Sequence, residues 1–276
     1  MSLDGRAGAD YAESMTTQRP RLIALENVRN FRDFGGYASR FGGRVRMGRL
    51  YRSGHHAEAS ADDLAKMDAL GIHVQADLRR PDEREKQKSR LRVPTIITND
   101  GGRETEAPHM RFLTQMSVDA DAADQWMVEY YEKAPFKAHH QALFRDWFVH
   151  LAEAPGEAAG LVNCAAGKDR TGILCALTHH VLGVDEADIR ADYDLTNAAV
   201  GVDQRLPEAA AHFNGMLGKD YPAEVFRPFM GVHLRYLDKA FAVITERAGS
   251  VQGYLTDVLG VDDALQGDLR AKLIEG

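Results

Sequence analysis

Leu161-Val162-Asn163-Cys164-Ala165-Ala166-Gly167-Lys168-Asp169-Arg170-Thr171-Gly172 decides how the chain is read. It passes from a short apolar segment through a tight loop into an apolar run, Ile173 to Leu182. That order is strand, loop, helix. A loop of this kind closes around an anion, because its N–H groups turn inward and the following helix adds about half a positive charge at its N-terminus. Arg170, placed at the end of the loop, can fork two hydrogen bonds onto two phosphate oxygens. The same positive field favours the thiolate form of a cysteine, which is its nucleophilic form. A lone cysteine at a strand end ordinarily reads as core packing. Here Cys164, five residues, Arg170 and Thr171 stand together with Gly167 in the loop, and that context reverses the reading.

Other phosphate loops fit poorly. A Walker A loop needs glycine where Val162 stands and serine or threonine where Asp169 stands. The G-x-S-x-G elbow of serine hydrolases is absent around Ser53-Gly54, since Tyr51 occupies the first glycine position. The run Cys-Ala-Ala-Gly-Lys-Asp-Arg-Thr-Gly resembles the signature loop of cysteine-based protein tyrosine phosphatases, and in particular the bacterial group with Gly-Lys-Asp-Arg in the loop. Asn30-Phe31-Arg32-Asp33-Phe34-Gly35-Gly36 is similar to that family's N-terminal signature, and Asp192-Tyr193 with Thr196-Asn197 matches a later pattern. The resemblance extends over about residues 21–274. It departs from the family at Asn163, where a histidine usually precedes the cysteine.

The resemblance implies an α/β fold: a central, mainly parallel sheet flanked by helices, with a helical lid inserted at about 100–134 and a helical C-terminus. It implies a single phosphatase domain over 21–274, after a polar, flexible N-terminus at 1–20. The implied reaction is phosphomonoester hydrolysis through a cysteinyl-phosphate. Phosphotyrosine proteins are the first substrates, with phosphoserine/threonine or phosphoinositides as the wider range. Cys164 is the nucleophile, Arg170 and the amides of Ala165, Ala166, Gly167 and Lys168 hold the phosphate, and Thr171 assists the sulfur as leaving group. Asp169 is the favoured general acid in the resembling family; Asp77 is the second candidate. Lys168 adds charge at the loop rim, which suits substrates with more than one phosphate. No metal or other cofactor is required, since loop and arginine supply the charge. Asn163 can donate a hydrogen bond but cannot be charged, so weaker activation of Cys164 is expected.

The rest of the chain is consistent with that frame. Ser60-Ala61-Asp62-Asp63 carries a capping-box pattern and opens a helix, and Ile72 to Leu78 reads as a strand, so the segment is a parallel crossover. Ligands sit at the carboxyl ends of parallel strands, which places Asp77 and Arg79 on the edge shared with Cys164. Arg79 is read as a substrate-side residue, and Arg80 to Lys86 as a solvated charged face. Arg32 and Asp33 are either a surface pair or a support of the site. Leu22–Leu25, Arg49–Ser53 and Val93–Thr98 are further strand candidates. Residues 99–120 read as loop and 201–228 as irregular or short-helical. Phe136, His140, Leu143, Phe144, Trp147, Phe148 and Leu151 keep helical spacing and read as core.

A net charge of −7 over 276 residues argues against a general nucleic-acid binder. Two cysteines do not make a disulfide framework. No apolar run reaches the roughly 20 residues needed to cross a bilayer, and no secretory leader is visible. The default location is cytoplasmic, with export lacking a cleaved signal left open; oligomeric state is not legible. The His pairs 55–56, 139–140 and 179–180 lack metal-site spacing. Two readings from other classes compete: a catalytically weak phosphate-binding module, and a sulfur-redox protein with Cys175 as resolving thiol.

Overall fold

A computed structural model describes residues 21–103, 108–115 and 118–276; the N-terminal segment expected to be flexible lies outside the described residues. Five strands lie side by side in the order β1 (Arg32–Asp33), β3 (Leu50–Ser53), β6 (Ala159–Asn163), β4 (Ile72–Asp77), β5 (Thr95–Ile97). All neighbours are parallel except β1, which runs antiparallel to β3. A separate pair joins β2 (Arg44–Val45) to β7 (Ile274–Glu275). Of the strand candidates, Leu22–Leu25 provides only a single bridge, from Leu22 to Arg32.

Every residue of the central strand β6 is buried, as a parallel strand covered on both faces should be. Successive residues point to opposite faces. Leu161 and Tyr51 join one apolar cluster with Phe31, Met67 and Leu91, under helix α1 (Ala61–Asp68). Val162 and Leu50 join the larger cluster on the other face. That face is covered by α5 (Ala138–Glu153), α6 (Asp169–Val181) and α10 (Leu234–Ala248). The aromatic stripe of α5 packs there as expected, with Trp147, Phe144, Phe148 and Leu151 fully buried. Truncating an aromatic of this kind to alanine costs about 3–5 kcal/mol.

The capping box at α1 forms as read: Ser60 accepts from the Asp63 N–H, and Asp63 accepts from the Ser60 N–H. Two stretches differ from expectation. Residues 99–120 contain a helix, α3 (Pro108–Gln115), followed by α4 (Ala120–Lys133). Residues 201–228 are mainly the 16-residue helix α8 (Val202–Leu217), which starts directly after α7 (Glu186–Val200) and is followed by the short α9 (Arg227–Met230). Leu113, Val118, Ala123, Leu206, Ala210, Val225 and Phe226 form a third apolar cluster, separate from the sheet, that holds these helices together. The chain closes with helical turns from Val251 to Val258 and α11 (Asp263–Leu273), which lead into β7.

Candidate active site

The loop Cys164–Lys168 leaves the carboxyl end of β6 and runs straight into α6. Cys164 is buried at the base of a cleft of about 160 Å³ that Ala165, Ala166, Lys168, Asp169 and Arg170 also line. The loop's shape is set from outside. The Ala165 carbonyl accepts from the His55 N–H (3.1 Å), and the Gly167 carbonyl accepts from Asn30 Nδ2 (2.7 Å) and Arg52 Nη2 (3.0 Å). With those carbonyls turned away, the N–H groups of Ala165 to Arg170 donate to no other described residue and are available to an anion. Gly167 has φ +69°, and a Cβ there would overlap the Ser53 carbonyl group, so the turn demands glycine.

Beneath the Gly167 carbonyl lies a polar cluster that is fully withdrawn from solvent. Arg52 donates to Asp192 Oδ2 (2.9 Å); Arg32 donates to the Asp192 carbonyl (2.8 Å), to Thr196 Oγ1 (3.2 Å) and to Asn30 Oδ1. Arg32 and Arg52 are each 0 % exposed and share Asp192. Burial opposes ionisation of Asp192, but the two guanidinium charges outweigh it and hold the carboxyl down at about 2. Arg32 is therefore no surface residue; of the two readings of Arg32 and Asp33, the structure fits support of the site. Asp33 is also buried and accepts from the N–H of Gly35 and Gly48.

Arg170 is aimed by Glu83. Its Nη1 and Nη2 fork onto Glu83 Oε2 (2.7 Å) and Oε1 (3.0 Å), and Nη1 also donates to the Leu78 carbonyl (2.9 Å). Glu83 is the third residue of α2 (Pro81–Lys86) and accepts in addition from the Arg80 N–H (2.7 Å). The charged run around it is thus only partly a solvated face. Glu83 is turned in, and burial, which would raise its carboxyl, is outweighed by Arg170 and Arg80, which hold it at about 2.

Asp77 and Asn163 stand opposite each other at the ends of the parallel strands β4 and β6, so the expected shared edge exists. Their side chains, however, are committed elsewhere. Arg79 clamps Asp77 through Nε–Oδ1 (2.8 Å) and Nη2–Oδ2 (2.6 Å), and its Nη1 donates to the Gln87 carbonyl (2.6 Å). Neither Asp77 nor Arg79 lines the cleft. Arg79, expected on the substrate side, is here a buried partner of Asp77. Asn163 donates to Asp77 Oδ1 (3.1 Å) and accepts from Gln75 Nε2 (2.8 Å), so the residue before Cys164 is held in a buried polar chain.

Lys168 lines the cleft. It is buried, not a charge at the loop rim, and all three donors are taken: by Asp169 Oδ1 (2.9 Å) and by the carbonyls of Pro228 (3.2 Å) and Gly231 (2.9 Å). Asp169 faces the cleft, and its Oδ1 accepts from Tyr131 Oη as well (2.8 Å). Thr171, in the first turn of α6, is buried with a hydroxyl that has no hydrogen-bond partner among the described residues. The cleft walls above are His109, Trp126, Met127, Tyr130 and Phe229, with Trp126 stacked on Tyr130. Sequence reading missed Glu83, Asn30 and Arg52. A residue three positions into a helix that opens with proline was the only local sign, at Glu83.

A mainly parallel sheet that delivers a buried cysteine into a tight loop ahead of a helix, with an arginine fixed at the loop's far end, marks a protein-tyrosine phosphatase-like enzyme. Residues 23–275 match the tyrosine phosphatase family, and the chain belongs to it. It is 32% identical over 279 residues to a Cupriavidus necator protein assigned by name to the tyrosine-protein phosphatases, covering 94% of each chain. It is 30% identical over 286 residues to the triple specificity protein phosphatase PtpB of Mycobacterium tuberculosis, covering 91% of this chain and 98% of that one. A tyrosine-protein phosphatase of Nostoc commune is 27% identical over 235 residues.

Proposed function

We propose that this phosphatase hydrolyses phosphotyrosine in proteins through a cysteinyl-phosphate on Cys164, and that phosphoserine/threonine or phosphoinositides extend its range. The observation that carries this reading is the pairing of Cys164 with a pre-aimed Arg170 at the base of one cleft. In the first step Cys164 Sγ attacks phosphorus, the bond to the ester oxygen breaks, and Asp169 gives that oxygen a proton. The loop amides and Arg170 hold the three equatorial oxygens as charge spreads over them. In the second step Asp169 takes a proton from water, the water oxygen bonds to phosphorus, and sulfur leaves. In this reading Thr171, whose buried hydroxyl has no partner among the described residues, turns to donate to the departing sulfur.

Asp169 is preferred over Asp77 as the acid, because it faces the cleft while Asp77 is locked to Arg79. The walls of Trp126, Tyr130, His109 and Phe229 suit an aryl ester. His109, Trp126 and Tyr130 belong to α3 and α4, within the lid proposed at 100–134, and Phe229 comes from α9, outside it. The relative named for triple specificity supports the wider range, whereas the occupied Lys168 donors do not. The test is turnover of an aryl phosphate, phosphotyrosine and phosphoserine peptides and phosphoinositide vesicles by wild type and Cys164→Ser. Loss of all turnover in the variant, with phosphate still bound, is the expected result. Equal rates in the two proteins would refute cysteine catalysis, and binding without turnover in wild type would leave a phosphate-binding module.

A further inference from the structure

Asp169 does not hold its own orientation. Its Oδ1 receives two donors, Lys168 Nζ at 2.9 Å and Tyr131 Oη at 2.8 Å, and Tyr131 Oη in turn accepts from Tyr193 Oη at 2.7 Å. The two tyrosines come from different helices, α4 and α7, and both are buried, at 0% and 1% exposure. Their rings meet edge to face, 6.4 Å apart. Tyr193 reaches this position because residue 172 is glycine: a Cβ there would lie 2.8 Å from the Tyr193 ring. Burial first, then the nearby Asp169 charge, raise both phenols well above their ordinary range, so both remain donors wherever the enzyme works.

We infer that Tyr131, backed by Tyr193, is a positioning residue for the general acid: it saturates Asp169 Oδ1 and so assigns the transferable proton to Oδ2. Oδ2 has no hydrogen-bond partner among the described residues, and Asp169 faces the cleft. With Oδ1 occupied by two donors, a proton on that oxygen would clash with both. The transferred proton therefore leaves Oδ2: the Oδ2–H bond breaks as the leaving oxygen gains hydrogen and its bond to phosphorus breaks. Lys168, tied to the Pro228 and Gly231 carbonyls, supplies one of the two donors, and Tyr131 supplies the other from a separate helix. Tyr131 is anchored in the core and fixes the carboxylate plane relative to Cys164. The inference rests on Asp169 being the acid.

The experiment compares leaving groups. Wild type, Asp169→Asn, Tyr131→Phe and Tyr193→Phe are assayed with 2,4-dinitrophenyl phosphate, whose phenolate leaves unprotonated, and with phenyl phosphate, whose leaving oxygen needs the proton. Positioned acids contribute roughly 10²–10⁴-fold, so Asp169→Asn should lose about that much on phenyl phosphate and little on the dinitrophenyl ester. Tyr131→Phe should lose about 10-fold on phenyl phosphate and no more than about 2-fold on the dinitrophenyl ester, with Tyr193→Phe smaller in the same sense. If Asp169→Asn shows the leaving-group dependence and Tyr131→Phe does not, the inference fails while the acid assignment stands. If Asp169→Asn shows none, the acid assignment fails and the inference with it. A Tyr131→Phe loss that is equal on both esters and tracks a lower melting temperature marks a structural role and also overturns it.

Discussion

Replacing Glu83 with glutamine keeps the length and shape of the side chain that aims Arg170 and deletes its charge. The Glu83 carboxyl falls from an ordinary 4.5 to about 2 in the folded protein, against the effect of burial. At 1.36 kcal/mol per pH unit, that interval corresponds to about 3 kcal/mol. The two side chains are only 11% and 16% exposed, so solvent screening removes little of it. The glutamine oxygen can still accept from one guanidinium nitrogen, which retains about 1 kcal/mol. The net loss for Glu83→Gln is then about 2 kcal/mol at pH 7. The sign follows from the depressed carboxyl. The contribution is complete above about 4.5 and disappears as pH falls toward about 2, so the gap between wild type and variant narrows between pH 7 and pH 3. Urea unfolding followed by fluorescence of Trp126 and Trp147 measures it. In the same variant Arg170 loses its fixed heading, and kcat/KM for an aryl phosphate should fall about 10- to 100-fold. A stability gap that stays constant from pH 7 to pH 3, or turnover that is unchanged, would refute the reasoning.

Asp77→Asn leaves the buried Arg79 without a counter-charge and should cost about 3 kcal/mol in unfolding free energy, while reducing turnover less than Asp169→Asn does. The reverse order in turnover would return the acid to Asp77. Gly167→Ala forces a side chain into left-handed backbone and into the Ser53 carbonyl group, and should abolish vanadate binding in a titration. Retained tight binding would show that the turn can relax. Asn163→His places a chargeable ring beside Asp77 and should speed iodoacetamide alkylation of Cys164 at pH 6; identical rates at that pH would sink the expectation that asparagine limits activation.

The strand–loop–helix turn around Cys164 was legible because everything it needs is local: a strand end, a glycine turn and a helix start within a dozen residues. The shared edge of β4 and β6 was legible for the same reason, since a parallel crossover fixes where strand ends point. What could not be read was the set of partners brought in from far along the chain. Glu83 looks like one more charge in Arg80 to Lys86, and its burial is decided by Arg170, 87 residues on. Arg32 meets its partner Asp192 across 160 residues. Lys168 read as exposed because two of its three acceptors, the carbonyls of Pro228 and Gly231, lie about 60 residues further on. The stretch 201–228 read as irregular because Gly201 and Pro207 look like breakers, yet Gly201 only separates two helices and Pro207 sits inside α8, whose apolar face is held by Phe226 and Val225.

Beneath the loop Arg32 and Arg52 share the Asp192 carboxylate, while Arg170 pairs with Glu83 and Lys168 with Asp169. The loop amides of Ala165 to Arg170 have no acceptor among the described residues, so a bound anion would complete them. Any tetrahedral oxyanion that fits the loop should act as a folding ligand as well as an inhibitor. By mass action it would add about 2.7 kcal/mol at a hundred times its Kd. Buffers of phosphate, sulfate or vanadate should then raise the melting temperature and suppress turnover together, and a variant that cannot hold the anion would show neither effect.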